Sequence, residues 1–396
     1  MISLLFLLVI YFSFISLGLQ DSLLGAAWPS MYGFFNVPLH YAGILSMIAY
    51  CGTVAASILN ARIIRRFNTG IVVTISVLIT AAALIGFSFS QKFFLLCILT
   101  IPLGFSAGSL DVALNNYVAL HYKARHMNWL HCFWGLGASI GPIIMSYFLI
   151  NRNSWGDGYR AIGIIQICLV LLLFLSLPLW KKSEDPAAAS DLKAKKSYKI
   201  KDMLKIAGVK AALVAFFCST VIEAISGLWG ASYLVLIKNV PPETAARWIA
   251  LYYIGITSGR FLSGFISMKL NNKQLIRCGQ VIIGCGIIFL VLPVGNSVFL
   301  LGLFMIGLGC APIFPGFIHE TPVNFGRENT PAIVAIQMAS AYIGFALMPP
   351  IFGRLAYALS FNLFPVVLGI MLILNIVFFE VLKKQIKSRQ FSGSDG

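Results

Sequence analysis

Two stretches of this chain contain no Asp, Glu, Lys or Arg, residues 22–61 and residues 278–319, which are 40 and 42 positions long. A bilayer is crossed by a helix of ~20 apolar residues, so each stretch holds two crossings. The whole chain follows suit: 59% of its residues are hydrophobic, 11% are charged and its mean hydropathy is +0.88. A soluble chain of 396 residues could not hide that much apolar surface in one core. The expectation is a multi-pass protein of the cell membrane, a bacterial inner or plasma membrane, with the lipid bilayer as its principal partner.

The formal charge of +16 would suggest nucleic acid in a soluble protein, but its distribution points to topology instead. Of 29 Lys and Arg, 22 fall in alternate loops and the C-terminal tail, six fall in the opposite loops, and Arg260 is left within a span. By the positive-inside rule both termini are cytoplasmic, which requires an even number of spans. No nucleic-acid partner is expected. The first apolar stretch has neither the basic region nor the cleavage site of a signal peptide and is expected to stay as the first helix. The eight cysteines sit in or beside apolar runs without metal-ligand spacing and are expected as free thiols.

Twelve spans are predicted, at about 3–33, 40–61, 70–90, 93–121, 127–150, 160–180, 207–236, 244–268, 273–293, 297–319, 329–355 and 361–382. They divide into a six-helix domain at 1–180, a polar cytoplasmic linker at 181–206, a second six-helix domain at 207–383 and a tail at 384–396. The linker suits either a short amphipathic helix on the inner leaflet or a solvated charge run. The halves repeat. Tyr50 and Gly52 match Tyr253 and Gly255, Gly104 matches Gly307, and Gly141 matches Gly344, all at an offset of 203. Asp21 with Gly25 matches Glu223 with Gly227 at an offset of 202. Tandem six-helix halves are the parallel repeats of a secondary transporter.

Within the fourth span, GFSAGSLDVALNN places Gly104, Gly108, Asp111 and Asn115 on one helical stripe. A charge at bilayer depth costs on the order of 3 kcal/mol or more, so Asp111 is a functional-site candidate by default; a structural acid bonded to a neighbouring helix is the alternative. The midpoint between Lys92 and Lys123 is at about residue 107, and at ~1.5 Å per residue Asp111 lies ~5 Å from it. Glu223 and Asp21 are similarly central in their spans. Three acids therefore share one depth, where substrate and coupling-ion sites are expected between the halves. Arg260 is close to that depth and either pairs with Glu223 or snorkels to the surface. Proton coupling is assigned to Asp111, Asp21 and Glu223. No phosphate-binding loop, nucleophile elbow or zinc cluster is present, so no enzyme activity, cofactor or metal is expected, and an ion gradient is the natural energy source.

The stretches GLQDSLLGAAWP, GFSAGSLDVALNNY, LHCFWGLGASIGP, VIEAISGLW, GRFLSG and CAPIFPG, in that order and with the long central linker, resemble the major facilitator superfamily and its fucose permease branch of proton-coupled sugar symporters. The resemblance implies an all-α fold of twelve transmembrane helices in two repeats, import of a monosaccharide or related polyhydroxylated solute with protons, and alternating access. Departures exist. The branch's first-helix acid sits about four residues before the proline, whereas here Gly25 holds that place before Pro29 and Asp21 lies one turn earlier. The basic loop after the second span is reduced to ARIIRRFNTG, where Arg62, Arg65 and Arg66 suit gating or plain anchoring. Gly137, Gly141 and Pro142 resemble half of an antiporter motif, which keeps a proton-antiporting exporter of drugs or metabolites as an alternative, beside an uncoupled sugar facilitator and a membrane sensor.

Sugars are held by hydrogen bonds to hydroxyls and by aromatic faces. Trp28, Asn115, Asn116, Trp134, Trp229, Tyr233, Gln337 and Tyr342 are therefore the candidate substrate contacts, each also compatible with packing. His131 reads as a structural histidine. A monomer is expected.

Overall fold

The computed structural model describes residues 2–122, 124–183, 200–293 and 295–392. Among them, twelve helices are long and apolar enough to cross a membrane. They are α1 (Ile2–Met31), α2 (Ala42–Phe67), α3 (Thr69–Ser88), α4 (Phe93–His121), α5 (Ala124–Arg152), α6 (Trp155–Ser183), α7 (Val209–Lys238), α8 (Pro242–Ile266), α9 (Asn272–Val291), α10 (Asn296–Phe325), α11 (Thr330–Ala358) and α12 (Leu363–Ser392). The fold is all-α, as the apolar runs imply, because in lipid each backbone group must find its partner within its own helix.

Helix ends are set by local chemistry. Asn68 joins α2 to α3 at φ 57° and accepts from the Ile71 amide at 3.1 Å, so a single residue turns the chain between two spans. Asn271 and Gln274 form a reciprocal capping box at the start of α9. Several helices outrun the apolar segments that announce them. α2 continues to Phe67 and carries Arg62, Arg65 and Arg66 on its last turns. α12 runs on to Ser392, so the segment from 384 begins as helix. Hydropathy marks where lipid ends, whereas the helix stops where its hydrogen bonds stop; Glu380, paired with Arg277 at 2.7 Å and Lys383 at 3.0 Å, supports the extension. Of the linker, residues 184–199 lie outside the described residues, and Ile200–Met203 forms one helical turn.

Each half packs by the same pairings: α1 on α5 and α2 on α4 in the first, α7 on α11 and α8 on α10 in the second. The repeated glycines lie at these crossings. A Cβ on Gly104 would strike the Ala49 carbonyl of α2, and one on its equivalent Gly307 would strike the Tyr252 carbonyl of α8. Gly141 of α5 abuts Leu19 and Ser22 of α1, as Gly344 of α11 abuts Thr220 and Val221 of α7. Backbones that approach this closely exchange dispersion contacts that lipid cannot match.

Buried amides add directional links. Gln166 of α6 donates to the Ser16 carbonyl of α1 at 3.0 Å, and Asn375 of α12 donates to the Ala215 carbonyl of α7 at 2.6 Å while accepting from Gln280 of α9 at 2.7 Å. Such interhelical bonds contribute on average ~0.6 kcal/mol each, so they set register more than stability. Across the halves, α5 packs on α8, α2 on α11 and α1 on α7. The last crossing is bare: a Cβ on Gly25 would strike the Gly227 carbonyl.

Candidate functional site

Between the halves lies a cavity of about 940 Å³. Its wall brings together Asp21 from α1, Asp111 from α4, Glu223 from α7 and Arg260 from α8, the groups that flanking charges place at one depth. The glycine stripe explains how Asp111 reaches it, since Gly104 and Gly108 press one face of α4 against Ala49 and Thr53 of α2. The cavity extends to Ser267 and Asn272, at the end of the bundle where α8 finishes and α9 begins. At the opposite end the halves meet. Gly43 of α2 abuts Pro350 of α11, Arg354 Nη1 lies 3.4 Å from His40 Nε2, and Ser146 Oγ donates to the Glu243 carbonyl at 2.6 Å.

The acids have different partners. Asp21 is exposed and lines the cavity, and its Oδ2 accepts from the indole N–H of Trp134 at 2.9 Å. Asp111 Oδ1 accepts from Asn115 Nδ2 at 2.8 Å, and the same amide also donates to the Asp111 carbonyl at 2.9 Å. Glu223 Oε1 stands 3.8 Å from Arg260 Nη2, with both side chains about one-fifth exposed (17% and 20%). Arg260 lies over the Trp134 ring at 4.7 Å and donates from Nη1 to the His131 carbonyl at 3.4 Å. Among the described residues, neither Asp21 nor Asp111 forms an ion pair.

The candidate sugar contacts separate into two groups. Trp134 and Tyr342 stand on the cavity wall, and Asn115 reaches the site through Asp111. Trp28 is fully buried and donates to the Leu39 carbonyl, while Trp229 is fully buried and donates to the Pro349 carbonyl. Tyr233 is stacked on Phe364 with ring centroids 4.8 Å apart, and Gln337 accepts from Thr321 Oγ1 at 2.9 Å. These four indole, phenol and amide groups are engaged in packing away from the cavity wall, and Asn116 is exposed but not on the wall either. Arg62 and Arg66 are exposed at the end of α2, with Arg66 lying over the Phe67 ring at 5.4 Å, and the side chain of Arg65 lies outside the described residues.

The wall also holds Tyr50, Tyr253, Gln20 and His319, which sequence reasoning did not place at the site. The first two were visible as an equivalent pair at the repeat offset. Their use as wall residues was the missed signal.

Two like halves of six membrane-crossing helices around a cavity that holds three acids and an arginine among apolar walls define a transport protein. Comparison with known families agrees: the profile described as Major Facilitator Superfamily matches residues 10–319 and again residues 211–394, and the chain belongs to that family. It is a multi-pass transporter of the cell membrane and not an enzyme. It is 22% identical over 351 residues to the glucose/mannose transporter GlcP of Bacillus subtilis (strain 168), covering 87% of this chain and 86% of that one. It is 25% identical over 273 residues to a putative glucose/galactose transporter of Helicobacter pylori (strain ATCC 700392 / 26695), covering 63% of each. Its fold matches, at a TM-score of 0.75 and 12% identity over 96% of both chains, the crystal structure of a bacterial homolog to the human lysosomal transporter Spinster in an inward-facing and occupied conformation.

Proposed function

We propose that this protein imports a monosaccharide or related polyhydroxylated solute together with protons by alternating access, with both termini in the cytoplasm. The observation that carries this is the pair of carboxylates, Asp21 and Asp111, on the wall of a cavity at membrane depth, neither of them closed into an ion pair among the described residues. A carboxylate that gains and loses a proton as its exposure alternates ties proton movement to the movement of the halves. The cavity's tyrosines and amides suit hydroxyl groups and sugar CH faces, and relatives named as transporters of glucose, mannose or galactose support the substrate class. In this frame the closed end, with His40 and Arg354, faces outward and the Ser267 end faces the cytoplasm.

The glycines that resemble an antiporter motif give export no separate support: Gly137 and Gly141 each abut α1, a packing role that accounts for them. The test is uptake of a panel of labelled sugars into proteoliposomes with and without an inward proton gradient. Gradient-driven accumulation of a monosaccharide is expected. Gradient-independent equilibration replaces the reading with a facilitator, and extrusion coupled to proton entry replaces it with an exporter.

A further inference from the structure

Charged groups of the two halves meet on one side chain. The indole N–H of Trp134 donates to Asp21 at 2.9 Å, and the Arg260 guanidinium sits 4.7 Å from the centre of the ring. The same guanidinium stands 3.8 Å from Glu223. Asp21 and Trp134 belong to the first half, Glu223 and Arg260 to the second. An indole has a single polar hydrogen, and here it is committed to a carboxylate. One of its faces is covered by a cation, which leaves Trp134 poorly suited to act as a free platform for a sugar ring.

We propose that Trp134 is a positioning residue that couples the protonation of Asp21 in the first half to the Arg260–Glu223 pair of the second. This rests on the proton-coupled reading above. An N–H donated to an ionised carboxylate is charge-assisted and stronger than one donated to a neutral acid. When Asp21 takes a proton from water in the cavity, that bond weakens and the indole is no longer held at its present angle. The attraction of a cation to a ring acts on the ring's face, so a turned indole releases Arg260 toward Glu223. The change falls on the α5–α8 contact, where Gly135 abuts Thr257 and the Trp129 ring meets Phe261 edge-on. Loosening that contact permits one half to move against the other.

Tyr50, Asp111, His131, Glu223, Tyr253, Arg260 and His319 share the wall with Asp21, so any titration must be assigned by mutation. Trp134→Phe retains a ring for Arg260 and removes the N–H; Trp134→Ala removes both; Trp134→His restores an N–H. The first readout needs no sugar: tryptophan emission of the purified full chain is followed against pH, and the spectrum of Trp134→Phe is subtracted. The difference is expected to titrate in the wild type and to be flat in an Asp21→Asn background. The second readout is sugar accumulation under an inward proton gradient. It is expected to fall at least about tenfold in Trp134→Phe, the loss of one hydrogen bond to a charged group, to fall further in Trp134→Ala, and to recover in part in Trp134→His. A difference spectrum that still titrates in Asp21→Asn, or wild-type accumulation by Trp134→Phe, overturns the proposal. A protein that moves no sugar but keeps the Asp21-dependent titration supports the Trp134 link and overturns only the reading of what is carried.

Discussion

Glu223 Oε1 and Arg260 Nη2 stand 3.8 Å apart on adjacent helices, α7 and α8, at the depth where a bilayer is least hospitable to charge. Removing one member of a fully buried pair costs about 3–5 kcal/mol because the other charge is stranded. Here both side chains border a water-accessible cavity, so a smaller cost, on the order of 1–3 kcal/mol, is expected for Glu223→Gln or Arg260→Gln alone. The double neutralisation is expected to regain most of that stability. Thermal unfolding of the purified variants in detergent measures all three, and strictly additive losses would remove the pairing.

Asp111→Asn replaces an ionisable group by a fixed neutral one while preserving an acceptor for Asn115, whose amide donates to it at 2.8 Å. Accumulation under a proton gradient is expected to disappear, while exchange of labelled for unlabelled sugar persists at a reduced rate. The sign of the pH effect follows. In a symporter the protonated acid accompanies bound sugar, so wild-type affinity falls from acid to alkaline pH and protons are taken up on binding. Asp111→Asn is expected to bind alike across the range. Affinity that rises with pH, with proton release, identifies an exporter.

Gly104→Ala and Gly307→Ala are expected to lose stability in parallel, because each added methyl meets a carbonyl of a neighbouring helix, Ala49 or Tyr252. Overpacking of this kind costs about 1–3 kcal/mol. Gly369 has nothing within 4 Å of the position a Cβ would take, so Gly369→Ala is the control and is expected to be neutral or stabilising. Melting temperatures of the three variants give the comparison; a silent Gly104→Ala would contradict the close crossing of α2 and α4.

At the closed end, Arg354 Nη1 lies 3.4 Å from His40 Nε2. A guanidinium only donates, so this contact needs an unprotonated Nε2. Once His40 binds a proton, two cations face each other across the halves and the contact is lost; above that pH it is present. Thiol labelling of a cysteine placed beside His40 is expected to speed up on acidification in the wild type and to be independent of pH in His40→Gln, whose amide oxygen accepts at any pH. Equal pH dependence in the two proteins would exclude this contact as the cause.

Depth was legible in the sequence and direction around the helix was not. Lys92 and Lys123 bracket α4, and Lys210 and Lys238 bracket α7, so the levels of Asp111 and Glu223 follow by counting residues. Trp28 and Trp229 lie on α1 and α7, which are mostly buried and apolar around most of their circumference, so no polar stripe separates the cavity wall from the packing. Both indoles satisfy a backbone carbonyl instead. Asn115 and Asn116 differ by one position, ~100° of helical turn, and only the first meets Asp111. Tyr50 and Tyr253 had a signal in the repeat, since an interface between like halves presents equivalent residues to the same space.

Where Gly25 crosses Gly227, no side chain separates the two halves, and in the alternating-access cycle proposed above the crossing serves as the fulcrum. Asp21 and Glu223 each sit one turn from it, ~6 Å along their helices. A rotation of about 15°, the size seen between rigid units in allosteric proteins, sweeps a point at that radius through only ~1.5 Å, whereas the start of α1, ~35 Å away, travels ~9 Å. In that cycle the acids occupy the short arm of a lever whose long arm is the far end of the helix. On the proposed alternating-access reading, proton and solute change sides while hardly changing place.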